Sequence, residues 1–402
     1  MHTRRHDIDW LRTLAFGLLI LYHVGMYYVY EWGFHLKSDD QYVWLQDIMV
    51  MSNQWRMSLL FFISAMALAL VRERYSGWAL ASLRTKRLMI PLLFGMAVVV
   101  PPQLYYELVY GIGYEGSYAA FMKEYFNLDT TLAPHKQSDI GLLTWNHLWF
   151  LPYLWLYSLL ALMVSPLLNL LAEQFNKMPA KLLMVMLVCA MAFIWYALRA
   201  DYPSTHALIG DWYNHGKYLL AFVAGYLLAS MPVIWQKVID HRRWFLGFAI
   251  VGYSLIVLDR HGYLALEEAT YQLWYVRYII GILLALNLWG WILMLVGYAG
   301  RYLRSGSKLL TYLNWAILPY YIFHQTLIIL LAVALMPLNL HAGPEAILII
   351  LLTCAGCAVG YEVVKRIPIV SGLFGLRFWP QRKSTRTAAA RKHQPLPDSV
   401  AK

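Results

Sequence analysis

Two ionisable residues sit in the first long apolar stretch of the chain, Arg12 in Asp9-Trp10-Leu11-Arg12 and His23 in Leu21-Tyr22-His23-Val24. Eleven residues at about 100° each leave them roughly 20° apart around a helix, so they share one stripe, with Asp9 within about 40° of it. A charge in lipid costs about 2.5–3.5 kcal/mol on insertion scales, so such groups face cavities and mark working sites. A neutral imidazole with an ordinary pKa of about 6.5 suits proton abstraction near neutral pH, or transient acylation. Other basic groups within apolar segments are Arg56, Lys217, Arg277 and His324. His147 opens another in Trp145-Asn146-His147-Leu148-Trp149. Each has a plainer reading: snorkelling for Lys217 and Arg277, an interfacial histidine for His147, a helix contact for His324 and a buried polar pair for His23 and Arg56.

The elements that must hold these groups are membrane helices. Sixty per cent of the 402 residues are hydrophobic and 14% charged, against about 25% charged in soluble domains. Ten segments are long and apolar enough to span: 10–30, 48–71, 88–108, 147–171, 182–199, 216–231, 244–259, 273–296, 311–335 and 345–364. The expected fold is therefore an all-α, polytopic integral membrane protein. The first apolar run ends in Met-Tyr-Tyr-Val-Tyr and reads as a retained span without a cleavage site. Twenty-four Lys and Arg fall on one side of this pattern and five on the other, which places both termini in the cytoplasm. The net charge of +11 is then a topology signal, and nucleic acid is not expected as a partner. Residues 1–379 read as one membrane domain and 380–402 as a disordered basic cytoplasmic tail. Loop 109–146, the longest on the outer side, is expected to form a lid or short helices. Cys189, Cys354 and Cys357 lie in apolar segments and suggest neither a disulfide framework nor a metal site.

Orientation sets depth. His23 rises about 22 Å from Ile8, Arg56 lies about 12 Å below the outer end of the second span, and His324 is about 20 Å up the ninth. Lys217, Arg277 and His147 begin inward-running helices. Six basic or titratable groups thus gather in the outer half, while Arg84-Thr85-Lys86-Arg87 lies at the cytoplasmic face.

As an ordered set, several blocks resemble the acyltransferase 3 family of bacterial membrane acyltransferases. They are Asp9-Trp10-Leu11-Arg12 with His23, Trp55-Arg56-Met57 leading into Phe61-Phe62-Ile63-Ser64, and Arg84-Thr85-Lys86-Arg87 before Ile90-Pro91. His147-Leu148-Trp149-Phe150-Leu151, Tyr321-Ile322-Phe323-His324, and Tyr361-Glu362 with Arg366-Ile367-Pro368 complete the set. The likeness runs to about residue 380 and is greatest to the glucan biosynthesis protein C branch, which succinylates osmoregulated periplasmic glucans. One departure is Ala65 after Ser64, where the family usually has glycine.

The resemblance implies a ten-helix enzyme of the bacterial inner membrane that takes a succinyl or acetyl group from cytoplasmic acyl-CoA to a hydroxyl of a periplasmic carbohydrate. The family's essential first-helix histidine falls on His23, its first-helix arginine on Arg12 and its R-x-x-R pair on Arg84 and Arg87. These three arginines are expected to bind the donor, whose phosphates need such partners. His23 is expected as base, with Arg56 or His324 stabilising an oxyanion or a succinyl carboxylate. His147, Trp149 and Trp145, with Trp212, are expected to meet the acceptor. The sequence identifies no carboxylate that orients His23; Asp47, at the outer start of the second span, is the one considered. No bound cofactor and no metal are expected. The rival reading is a polytopic transporter of a small anionic or carbohydrate solute, although neither inverted repeats nor paired interrupted helices are visible.

Overall fold

The computed structural model describes residues 5–138, 140–264, 266 and 273–376. The expected tail at 380–402 lies outside the described residues. Among them, all regular structure is helical. The chain runs through α1 (His6–Tyr28), α2 (Val43–Asn53), α3 (Arg56–Arg72), α4 (Gly77–Phe94), α5 (Pro101–Ile112) and α6 (Tyr118–Tyr125). It continues through α7 (Phe150–Met163), α8 (Ser165–Lys177), α9 (Ala180–Leu198), α10 (Trp212–Ala229), α11 (Pro232–Asp240) and α12 (Arg242–Arg260). The last described helices are α13 (Trp274–Tyr302), α14 (Lys308–Leu335), α15 (Ala342–Arg366) and α16 (Pro368–Leu373).

Seven of the described helical runs are long and apolar enough to cross a bilayer, and two bent pairs bring the number to nine. One bend falls inside the expected fourth span, 147–171, and the other at the end of the expected sixth, 216–231. The fourth turns by 79° between α7 and α8, and the sixth by 106° between α10 and α11. Pro166 and Pro232 stand in the first turn of α8 and α11, where proline suits a new helix and disfavours continuation of the old one. The segment expected at 244–259 is helical as α12 but is not apolar enough to count with the others.

The second and third spans also differ from the simple pattern. Gln54 and Trp55 interrupt the second span, so Arg56 stands at the start of α3 rather than in mid-helix. The third begins eleven residues before its expected start, which places Arg84 and Arg87 inside α4 rather than in a flanking loop. A π-helical turn, Gly95–Val99, joins α4 to α5. Such turns often accompany functional sites. Loop 109–146 does contain short helical pieces, α6 and the 3-10 turn Pro134–Lys136, and a second 3-10 turn, Asn146–Trp149, leads into α7.

Close packing without side-chain bulk holds the bundle together. At Gly225 of α10 an added Cβ would stand 2.1 Å from the Phe62 carbonyl oxygen of α3. At Gly290 of α13 it would stand 2.9 Å from the Ala249 amide of α12. Around the first crossing Phe61, Phe62, Tyr157, Phe222 and Trp289 are almost wholly buried. Ala65 is fully buried there too, so the departure from glycine is accommodated.

Candidate active site

α1 and α14 are joined by two polar rungs. At one, Arg12 donates to Asn314 and to Asp9 Oδ1, the latter at 3.2 Å. At the other, His23 Nδ1 meets His324 Nε2 at 3.2 Å. The rungs are eleven residues apart on α1 and ten on α14, about 16 Å along helices running the same way. The expected stripe therefore faces a partner helix.

The hydrogen bonds assign the tautomers of this histidine pair. His324 donates from Nδ1 to the Tyr321 carbonyl at 2.8 Å, which leaves Nε2 as an acceptor. His23 Nδ1 then donates, shared between His324 Nε2 and the Leu19 carbonyl at 2.9 Å. The basic lone pair of His23 is thus on Nε2, which has no hydrogen-bond partner among the described residues. His23 lines a cavity of about 800 Å³. His324 is buried behind it, making His324 an orienting group for His23 in this geometry. Asp47 does not orient His23. It accepts from Arg260 at 3.1 Å and His261 at 2.9 Å, tying α2 to the end of α12.

The same cavity is lined by Arg56, His147, Trp149, Arg199, Ser204, His206, Lys217 and Tyr218 among others. Arg56 is 5% exposed, and its Nε and Nη1 have no hydrogen-bond partner among the described residues. Its guanidinium lies 3.5 Å over the Tyr22 ring. Lys217 is in the cavity wall rather than at headgroups, 4.5 Å from the centre of the Tyr218 ring. Arg277 instead packs on Tyr196 and donates to its carbonyl at 3.1 Å.

His147 has both ring nitrogens engaged. Gln103 donates to Nδ1 at 3.1 Å, and Nε2 donates to the Ile322 carbonyl at 3.1 Å. From Gln103 the network passes to Gln325, which donates to His35 Nε2 at 3.0 Å, and from His35 Nδ1 to Glu107 at 2.5 Å. Lys136 completes it from the loop between α6 and α7, 2.5 Å from Glu107. His147 therefore links the cavity wall to that loop. The histidine rings meet edge to face in sequence, His23 with His324 at 5.0 Å and His324 with His147 at 5.3 Å between ring centres. No described group of three or more His, Cys, Asp or Glu has the arrangement to hold a metal.

The expected aromatic residues divide. Trp149 lines the cavity with the His206 ring 4.1 Å from its own, so one face is already covered. Trp145 stands outside the cavity lining and donates its indole N–H to the His206 carbonyl at 2.9 Å. Trp212 is exposed and sits against His215.

The loop carrying His206 is organised by Asp211, which is fully buried. Its carboxylate accepts from Tyr153 at 2.5 Å, from Asn214, and from the amides of Thr205 and His206. Burial pushes the Asp211 carboxyl up, but these hydrogen bonds outweigh burial and hold it below the usual carboxylate range. His206 and Leu208 both have φ near +60°, a costly conformation for residues with a Cβ. Burial also pushes the His206 imidazole down to about 4, so it is neutral near pH 7.

At the opposite end of the His23 stripe, Arg84 and Arg87 stand one turn apart on α4, close enough to Arg12 for the three charges to repel one another. Beside them Trp155 of α7 donates to Thr85 at 2.9 Å. One chain thus carries two basic sites, a cluster of three arginines and a histidine-bearing cavity, joined by α1. The acyltransferase 3 model, an acyltransferase domain, matches residues 5–362. The chain belongs to the acyltransferase 3 family. The membrane acyltransferase so identified has no significant match among curated proteins or solved structures.

Sequence reasoning on this acyltransferase missed His206, Asp211, Gln103, Gln325 and His35. Gln103 and Gln325 are polar residues in apolar helices and were open to detection by the logic that singled out His324. His206 and Asp211 lie in a polar loop, where nothing in the sequence distinguishes them.

Proposed function

We propose that this acyltransferase moves a succinyl or acetyl group from cytoplasmic acyl-CoA to a hydroxyl of a periplasmic glycan, with osmoregulated periplasmic glucan as the candidate acceptor. The observation that carries the reading is the tautomer of His23. Its Nδ1–H is held by Leu19 and His324, which leaves the basic lone pair on Nε2 of a residue that lines the same cavity as Arg56.

The donor docks with its phosphates on Arg12, Arg84 and Arg87 at the cytoplasmic side, where guanidinium groups suit phosphate oxygens. The charge distribution along the sequence supports that orientation, both termini inside a bacterial inner membrane and ten spans in all. The pantetheine arm carries the thioester along α1 towards His23. There Nε2 takes the proton of the acceptor hydroxyl as its oxygen attacks the thioester carbonyl. Negative charge develops on the carbonyl oxygen, and the buried Arg56 guanidinium, whose Nε and Nη1 have no hydrogen-bond partner among the described residues, is the donor available to receive it. Collapse breaks the carbon–sulfur bond, the new ester remains, and the departing thiolate recovers the proton from His23. His147 holds the wall behind this pair through Gln103 and Ile322. Trp149 supports the acceptor side through His206.

Mass spectrometry of cell-envelope glycans from a deletion strain tests donor and acceptor together. Loss of one mass increment, about 100 Da for succinyl or 42 Da for acetyl by elementary composition, from periplasmic glucan supports the assignment. An unchanged glucan with loss of an acyl mark from another polymer would move the acceptor, and no acyl change in any glycan would contradict the reading.

A further inference from the structure

The cavity has a second cationic group that the proposed chemistry does not use. Lys217 enters on α10, five residues from its outer start, and its ammonium lies over Tyr218 at 4.5 Å and Tyr213 at 5.2 Å. Arg199, just past the end of α9, lies over Tyr213 as well, 5.5 Å from its ring centre. Both line the cavity, and among the described residues neither side chain forms an ion pair or a hydrogen bond. An ammonium has three N–H donors and no other use for them, and a tyrosine face satisfies only part of a cation's demand for negative charge. Taking such a group from water without a partner is costly.

The neighbouring carboxylates do not meet this demand. Asp211 spends its oxygens on Tyr153, Asn214 and two amides, with its charge buried behind the loop. Asp259 lines the cavity and accepts from the Leu266 amide at 2.7 Å. Against it stand Arg56, Lys217 and Arg199, which leaves the lining positive. The Asp211-built loop adds Ser204 and the strained His206 to the same wall. Strain retained at a cavity wall is a pointer to use.

We propose that Lys217 and Arg199, with His206 beside them, form a second anion subsite at the outer end of the cavity, which receives a carboxylate or phosphate carried by one of the two substrates. The inference rests on the acyl-transfer reading above and specifies its substrate class. The anion is either a terminal carboxylate on the acyl group or an anionic substituent on the acceptor glycan.

Full-length protein in proteoliposomes, unaltered or as Lys217→Met or Lys217→Arg, separates these sources. Each is given succinyl-CoA or acetyl-CoA with a neutral glucan oligosaccharide or its phosphorylated form. Charged hydrogen bonds of this kind correspond to about a tenfold effect or more. Lys217→Met is therefore expected to lower kcat/KM at least about tenfold more for the anion-bearing pairing than for its neutral counterpart, with Lys217→Arg restoring most of the difference. If the loss follows succinyl-CoA, the subsite holds the acyl carboxylate. A loss that follows the phosphorylated oligosaccharide assigns it to the acceptor. The same loss in all four pairings, or none, would overturn the subsite. Absence of transfer by the unaltered protein would instead overturn the acyl-transfer reading, and is told apart because it precedes any variant.

Discussion

Arg56→Met is expected to make the protein more stable and nearly inactive. Arg56 is 5% exposed, and two of its nitrogens are buried without a hydrogen-bond partner. Each such unmet donor costs about 1–3 kcal/mol, or about 2–6 kcal/mol for two. Against that stands the contact with Tyr22, 3.5 Å away, worth about 2 kcal/mol when desolvated. Methionine fills most of the same volume without charge, so the net gain is about 0–4 kcal/mol, in line with other buried charges replaced by apolar groups. Activity moves the other way. Removing a donor to a developing oxyanion lowers kcat by about 10²–10³-fold. Thermal unfolding of the purified protein reads the first effect, and transfer from labelled acyl-CoA at saturating donor reads the second. A variant that melts below the unaltered protein, or keeps a tenth of its kcat, refutes the argument that Arg56 is held in strain for the reaction.

Three further outcomes follow from the geometry. His324→Ala removes one of the two acceptors that fix the His23 tautomer and is expected to lower kcat about 10–100-fold with little change in acyl-CoA KM, because a misplaced base loses its reacting geometry. Gly225→Ala would drive a methyl into the Phe62 backbone and is expected to destabilise by about 3 kcal/mol or more, seen as a lowered unfolding midpoint. The loop at 200–211 should lose order in acid. The folded pKa of His206, about 4, lies below its ordinary 6.5, so its contribution is complete above about pH 6.5 and is lost as pH falls towards 4. Asp211, also held below its ordinary value, extends that loss to lower pH. Hydrogen exchange across residues 200–211 should follow that course, and a flat profile from pH 7 to 4 would show that neither group governs the loop.

Much of the helical frame was legible because lipid imposes it. Spans must be long, apolar and internally hydrogen-bonded, and those demands appear directly in composition. What was not legible arose where local rules competed. Pro166 sits inside a run that hydropathy alone continues to residue 171, and hydropathy does not weigh a bend. The same test placed Arg84 and Arg87 outside the helix, because charged residues lower the score of a segment whose backbone is nevertheless helical. Within the cavity, the shared stripe of Arg12 and His23 was readable from spacing, since a helix converts sequence separation into angle. Their partners Asn314 and His324 depend on which helix packs alongside α1, and no single helix carries that information. Asp47 shows the opposite error. Its depth suited His23, but Arg260 and His261, from an element far along the chain, claim its oxygens.

The central claim is that His23 Nε2 is the base that delivers a hydroxyl to a thioester. Reconstituted protein with labelled succinyl-CoA inside and periplasmic glucan outside tests it, using His23→Ala and His23→Gln shown by size-exclusion and thermal unfolding to remain folded. Label is expected on the glucan with the unaltered protein, with a loss of at least about 10²-fold in both variants. Undiminished transfer by either folded variant would contradict it.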